Sequence, residues 1–364
     1  MRRIFAATLL GAVSLVLLLS VSSGAGSAPS PKAKSLEPRT LVTETGQIHA
    51  FAQDTHSIAW IGTGYKVHVR SLLIGKSAVV GSAAPSIGTG PRPVLALADT
   101  RALWTKFEGG TSPETSLWAS ALGGTATQVD LLIGAFPPDP GDGAFLGGAA
   151  GDGPTLVYGQ TWEYCKPPYP NCQELDVLGG GVSFVTGQFS QPPISGIPAP
   201  ILLAFSGHQL AVAPAASPLF TDFGDAPRVA EDGPVQVYRF DRQVELVSSV
   251  TPRGSVRAIA LDVSRLAVLV ERPDGTKALE RYYPRNGTLV STTPVPRATA
   301  SGLGLSSAGV VYRVGSKIYL LARGAPKLVW KARGTPIGLS IERKRIAWAV
   351  DLKGHGRVVA LSLK

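Results

Sequence analysis

One short phrase returns seven times along this chain: a strand of small residues, a tight turn carrying an acid or serine, then a hydrophobic strand. The hydrophobic member reads Ser57-Ile58-Ala59-Trp60 first and Arg345-Ile346-Ala347-Trp348 last, with Arg265-Leu266-Ala267-Val268 typical of the middle. Its closing residues are Trp60, Trp104, Tyr158, Val212, Val268, Tyr312 and Trp348, spaced by 44, 54, 54, 56, 44 and 36 residues. A unit of that size cannot bury its own faces and has to stack on neighbours. The pattern predicts an all-β fold, a seven-bladed β-propeller of four-stranded blades.

Each repeat divides into four strands. In the second they are expected at Val94–Ala98, Ala102–Lys106, Ser116–Leu122 and Ala126–Ile133. In the fifth they are expected at Val256–Leu261, Arg265–Glu271, Lys277–Tyr283 and Thr288–Val295. Alternating polarity, β-branched residues and turn pairs such as Asn286-Gly287 support hairpins. The first strands are rich in small residues, as in Gly302-Leu303-Gly304-Leu305, which suits the crowded wall of a central channel. Asp54, Asp99, Asp152, Ser206, Asp262, Ser306 and Glu342 recur at one place, five or six residues before each closing residue. Such residues close turns through their own backbone, so the reading is structural. The last repeat has only three strands, Ile337–Ile341, Arg345–Val350 and Arg357–Leu363. Arg39–Glu44 is expected to complete it and close the ring.

The N-terminus reads as an export signal. Arg2 and Arg3 precede an apolar run, Ile4 to Val21, and a small polar stretch, with cleavage expected after Ala25. The apolar run is 18 residues long, so an uncleaved membrane anchor is the alternative. With no cysteine after that run, a lipid-anchored form is excluded. The expected division is residues 1–25 signal, 26–38 flexible leader and 39–364 propeller. An exported, extracellular or envelope location follows. Cys165 and Cys172, with Pro167, Pro168 and Pro170 between them, are expected to form a disulfide stapling a loop in an oxidising compartment.

Charge is uneven. Residues 26–230 hold 11 basic and 15 acidic side chains, while residues 231–364 hold 22 and 10. Repeats five to seven are therefore basic, which suits either ordinary solvated surface or contact with anionic polymers.

On these features the chain resembles the β-propeller repeat superfamily of exported bacterial proteins. It is similar in pattern to TolB-type and WD40-type repeats from about Arg39 to the end. The Ser-Pro-Asp-Gly turn of TolB-type repeats survives only as Arg272-Pro273-Asp274-Gly275, in a different turn. The Trp-Asp ending of WD40 blades, the sialidase Asp box and the quinoprotein tryptophan repeat are missing. No functional residue is therefore carried over. The resemblance implies an extracytoplasmic propeller that binds a protein or a polymer.

The long connections point to a contact surface. Gly81–Pro93, Ala135–Gly143, Thr161–Gln173, Gln188–Pro200 and Pro214–Pro234 all fall between second and third strands or between blades, so they share one face. The expected binding residues there are Phe136, Trp162, Tyr164, Tyr169, Phe189, Phe220, Asp222, Phe223 and Asp225, on repeats two to four; the alternative is that the aromatics only pack the loops together. A glycan hydrolase or lyase using Asp222, Asp225 and Glu163 is one alternative function, and adhesion to anionic polymers through the basic repeats is another. No catalytic set, cofactor or metal site is assigned. Calcium is the one ion that Asp139-Pro140-Gly141-Asp142-Gly143 brings into question, and it lacks a full ligand series. His49 and His56 flank one hairpin. The expected partner is a protein or envelope polymer, without specific nucleic-acid recognition, and the chain itself is expected to be monomeric.

Overall fold

A strand that must be covered on both faces carries an unbroken apolar run, and that is the character of the second strand in every blade. Ser57–Ile61 is buried throughout, and the five central residues of Arg265–Glu271 and of Arg345–Asp351 are buried. The computed structural model describes residues 37–364, apart from 87–90, 110–113, 134–142, 166–174, 187–188, 191–193, 195–196, 217–228, 232, 241–243 and 296–299. Its strands form seven antiparallel sheets of four.

Strand β1 is Arg39–Thr43. Blade 1 follows with β2 (Ala50–Gln53), β3 (Ser57–Ile61), β4 (Lys66–Ser71) and β5 (Ser77–Ser82). Blade 2 has β6 (Leu95–Ala98), β7 (Arg101–Gly109), β8 (Glu114–Ala121) and β9 (Thr127–Ile133). Blade 3 has β10 (Gly143–Asp152), β11 (Thr155–Cys165), β12 (Leu175–Thr186) and β13 (Phe189–Ser190). Blade 4 has β14 (Pro200–Ser206), β15 (Gln209–Pro214), β16 (Val235–Phe240) and β17 (Val244–Val250). Blade 5 has β18 (Ser255–Asp262), β19 (Arg265–Glu271), β20 (Lys277–Tyr282) and β21 (Leu289–Val295). Blade 6 has β22 (Ala300–Ser306), β23 (Gly309–Val314), β24 (Lys317–Leu321) and β25 (Lys327–Lys331). Blade 7 has β26 (Ile337–Glu342), β27 (Arg345–Asp351) and β28 (Gly356–Ser362), with β1 as its outer strand.

The closing residue of each repeat does one job. Trp60, Trp104, Tyr158, Val212, Val268, Tyr312 and Trp348 are all at most 3% exposed. Each packs against the blade before its own. Trp104 joins the blade 1–2 core with Val67, Val69 and Val80, and Trp348 joins Val311 and Ile318 of blade 6. Trp60 packs against Ala347, Ala349 and Val358 of blade 7, so the same contact runs across the closure. Burying one such aromatic stabilises by about 2–3 kcal/mol. The polar edges of the rings also find the preceding blade's outer strand. Trp104 Nε1 donates to the Ser82 carbonyl at 3.0 Å and Tyr158 Oη to Asp130 at 2.6 Å. Across the closure, Trp60 Nε1 donates to Glu44 at 2.7 Å.

The N-terminal strand closes the ring as expected. In β1, Arg39, Thr40, Val42 and Thr43 pair with Ala360, Val359, Val358 and Arg357 of β28, with one irregularity between Thr40 and Val42. Glu44 N donates to Gly356 O and Gly356 N donates to Gly46 O, which extends the pairing past the strand. Arg70 of blade 1 donates to the Leu41 carbonyl at 2.6 Å.

The inner strands are small because they meet. At Gly147 a Cβ would lie 1.4 Å from the Pro200 carbonyl oxygen, and at Gly338, where φ is +60°, 2.1 Å from that of Phe51. Inner strands of blades 3 to 7 all carry a register shift near the same level, as between Leu146 and Gly148 and between Ser301 and Leu303.

Removing residues 26–45 takes away β1 and the Glu44 acceptor. The outer edge of β28 and the Trp60 cluster then face water. With several backbone bonds lost at about 1 kcal/mol each, the midpoint of thermal unfolding should fall by about 10 °C or more. Differential scanning calorimetry of the truncated and full chains measures this, and an unchanged midpoint would refute closure by β1.

Candidate functional site

Connections between first and second strands, and between third and fourth, lie at one end of the propeller, here the turn end. Those between second and third strands and between blades lie at the other, the loop end. The two ends differ in chemistry.

At the loop end, blade 3 stands out. Its first three strands run 10, 11 and 12 residues, whereas no strand of another blade exceeds 9. Register along β11 and β12 holds from Leu156 opposite Val185 to Cys165 opposite Leu175, with one shift after Trp162. Gly180 allows this length. A Cβ there would lie 2.4 Å from the Ala199 Cα. The connection expected to begin at Thr161 therefore begins beyond Cys165. Trp162 and Tyr164 are half-buried strand residues on this extended hairpin. Glu163 between them is 0% exposed, which places it inside the sheet and not on a loop. Phe189 begins the two-residue β13. Glu231 is exposed. Phe136, Tyr169, Phe220, Asp222, Phe223 and Asp225, with Asp139, Asp142, Asp232 and Cys172, lie outside the described residues, as does the expected Cys165–Cys172 bond.

At the turn end, the recurrent acids and serines meet around the mouth of the channel. A cavity of about 360 Å³ opens there, walled by the turns of blades 3 to 7. Most of these side chains are held by backbone. Asp54 accepts from His56 N, Ser57 N and Ser57 Oγ at 2.8–3.1 Å. Asp262 accepts from Ser264 N, Ser264 Oγ and Arg265 N at 2.7–2.8 Å. Two others tie neighbouring blades together, a role the repeat pattern does not reveal. Asp152 accepts from Gly207 N at 2.6 Å, and Ser306 Oγ donates to Arg343 O at 2.7 Å.

The closing seam is the most charged part of this end. Arg345 donates to Gln53 Oε1 at 2.8 Å, to Thr55 O at 3.2 Å and to Asp54 O, while Gln53 returns a bond to Arg345 O. Glu342 accepts from Thr55 Oγ1 at 3.3 Å. Burial first, then the Asp152 and Asp54 carboxylates, push the Glu342 carboxyl up to about 7, against smaller downward pulls from Thr55 and Arg345.

Two of the histidines stack on aromatic rings. His49 stacks on Tyr65 with ring centres 4.1 Å apart, and His68 stacks on Trp60 at 4.7 Å. Burial is the main cause that lowers both imidazoles below their usual range. His49 precedes β2 and His56 follows it, so the strand holds them apart. Among the described residues no group of three or more His, Cys, Asp or Glu side chains could hold a metal ion. Among the same residues no helix is long and apolar enough to cross a membrane.

No protein-family model and no curated protein matches this sequence. Solved structures do match its fold. The structure described as YCF48 bound to D1 peptide superposes with a TM-score of 0.50 at 10% identity, over 92% of this chain and 99% of that one. The WD40 β-propeller domain of Doa1 gives 0.49 at 11% identity, over 89% of this chain and 97% of that domain. At such identities the likeness is one of fold: the chain is a seven-bladed β-propeller.

Glu342 yields a pH prediction. Its folded value lies above the ordinary carboxyl value, so the native state holds this proton more tightly than the unfolded chain. The stabilising contribution is complete below the ordinary carboxyl value and is lost as pH rises through about 7. The unfolding midpoint should therefore fall between pH 5 and pH 8 in the parent. In Glu342→Gln that part of the slope should vanish, which a pH series of thermal melts will show.

Proposed function

We propose that this chain is an extracytoplasmic binding or scaffold module that engages a protein or envelope polymer through the loop end of blades 2 to 4. The observation that carries the reading is the extended β10–β11–β12 sheet of blade 3, which brings Trp162 and Tyr164 to the end where the long connections cluster. A rigid hairpin with half-buried aromatics offers contact area at a small entropic cost. Export rests on the pattern of residues 1–25, and a Cys165–Cys172 bond at the tip of this hairpin would fit that compartment. We take the chain to act as a monomer, its last sheet being completed by its own first strand. The hydrolytic alternative loses one of its three carboxylates, because Glu163 is enclosed within the sheet.

The test is crosslinking in the native envelope. A photoreactive residue replacing Tyr164 should give a discrete adduct. One replacing Leu73, which is 72% exposed on a turn-end hairpin of blade 1, should give none. Trp162→Ala should weaken the Tyr164 adduct while the melting midpoint changes by less than about 4 °C. Equal adducts at both positions, or none at Tyr164, would reject this face.

A further inference from the structure

We propose that the turn end of the seam between blades 7 and 1 is a membrane-contact surface, which lays the Leu73-Ile74 tip and the basic side chains beside it against an anionic lipid bilayer. This inference does not rest on the partner-binding role proposed for the loop end of blades 2 to 4.

The first observation is the apolar tip. The hairpin joining β4 to β5 turns through Leu72-Leu73-Ile74-Gly75-Lys76. Leu73 and Ile74 are 72% and 73% exposed, the two most exposed large apolar side chains among the described residues. The turn that carries them is well held. Leu72 packs into the cluster of Trp60, Ala347 and Val358 that spans the closure, and its N–H donates to His56 O at 2.7 Å. Ser71 N donates to Lys76 O at 2.9 Å, and Ile74 N donates to Ser71 Oγ at 3.4 Å. Two aliphatic side chains are thus fixed in water, an unfavourable arrangement that an apolar partner phase relieves.

The second observation is charge. Thr55, in the first turn of blade 1, donates to Glu342 of blade 7, and Arg345 donates to the Thr55 carbonyl. With the His56 contact to Leu72, these bonds join two turns and the hairpin into one edge. Its exposed bases include Lys76, Arg343, Lys344 and Arg39, and Glu37 is an exposed acid. Among the described residues Lys76, Arg343 and Lys344 form no ion pair. Exposed aliphatics ringed by lysine and arginine match a bilayer with anionic headgroups, where the first enter the acyl boundary and the second stay with the phosphates. Asp152 and Asp262 lie across the channel mouth on blades 3 and 5, so the contact runs along the blade 7–1 edge and not over the whole end.

The third observation is where the chain joins the ring. Strand β1 runs antiparallel to β28, with Arg39 opposite Ala360 and Thr43 opposite Arg357, so the chain enters it at the turn end. Arg70, just before the tip, donates to the Leu41 carbonyl at 2.6 Å, which puts that entry beside the hairpin. Ahead of it in sequence stands the apolar run Ile4–Val21, separated from Arg39 by residues 22–38, which include Lys32 and Lys34. A chain led to a membrane by its first residues brings this edge to the bilayer and leaves the loop end of blades 2 to 4 facing away.

The test uses the chain with the N-terminus that export leaves it, carrying a fluorescent amino acid in place of Ile74. It would be added to vesicles of phosphatidylcholine and phosphatidylglycerol in equal parts at about 150 mM salt, where diffuse attraction is screened within about 8 Å. The probe should shift to the blue and be quenched by lipids bearing a nitroxide on the acyl chain. The same probe in place of Ile133, exposed at the loop end of β9, should do neither. With the probe at 74, Leu73→Ser should weaken docking about tenfold, and Lys344→Gln about fivefold. Lys353→Gln, exposed at the loop end of blade 7, should leave it unchanged. Leu73 would then meet lipid, which yields no discrete protein adduct, so this test and the crosslinking test fail separately. No quenching at 74, equal quenching at 133, or indifference to both Leu73→Ser and Lys344→Gln would overturn the proposal. A blue shift without lipid quenching would also overturn it, by assigning the tip to a protein or a second copy of the chain.

Discussion

Everything in this molecule depends on one repeated contact: an apolar residue at the fourth position of each second strand lies against the blade before it. No blade has a core of its own. Each apolar cluster is shared between two neighbours, so the stability of a blade is the stability of its two interfaces. An open row of such units would leave one face of the first blade and one face of the last in water. The chain avoids this by placing its first strand, Arg39–Thr43, on its last sheet. The Trp60–Glu44 bond repeats at the closure what Trp104–Ser82 and Tyr158–Asp130 do within the ring. The closing interface is thus built to the same plan as those between consecutive blades, although its residues lie nearly 300 positions apart, as in the Gln53–Arg345 bonds.

The same geometry decides the composition of the inner wall. Seven inner strands converge, and where two carbonyl backbones come close only a hydrogen fits, as at Gly147 and Gly338. Convergence also gathers the turn residues of different blades. Asp152, Asp54 and Glu342 are far apart in sequence, yet the first two carboxylates act on the third at the channel mouth. A residue selected turn by turn for closing a hairpin becomes a member of a ring, with electrostatic consequences that no single blade contains.

This explains what could be read from the sequence and what could not. The strands of blades 2 and 5, with ends within three residues of those found, and the donated strand at Arg39 were legible, because they follow from periodic burial and from counting strands. The acids were legible as turn residues; Asp54 and Asp262 accept from their own turns as that reading requires. The extension of β11 past Trp162 was not, since Trp-Glu-Tyr-Cys followed by prolines has the composition of a loop. Its strand character comes from pairing with Leu175–Val177 of β12, 10 to 14 residues later, a pairing that local pattern does not report. The cross-blade bonds of Asp152 and Ser306 were hidden for a similar reason. They arise from ring position, not from sequence neighbours.

Ring position also gives a rule for separating fold from function here. At the turn end Asp54, Asp152, Asp262 and Ser306 bond to backbone, and such groups are spent on holding turns and neighbouring blades together. At the loop end Trp162 and Tyr164 break the repeat, on the one blade whose first three strands run 10, 11 and 12 residues. A structural charge in a repeat protein should recur with the repeat, because the backbone it serves recurs. The departure from the repeat falls at the end where the longest connections also gather, which is where a partner arriving from solvent would meet it.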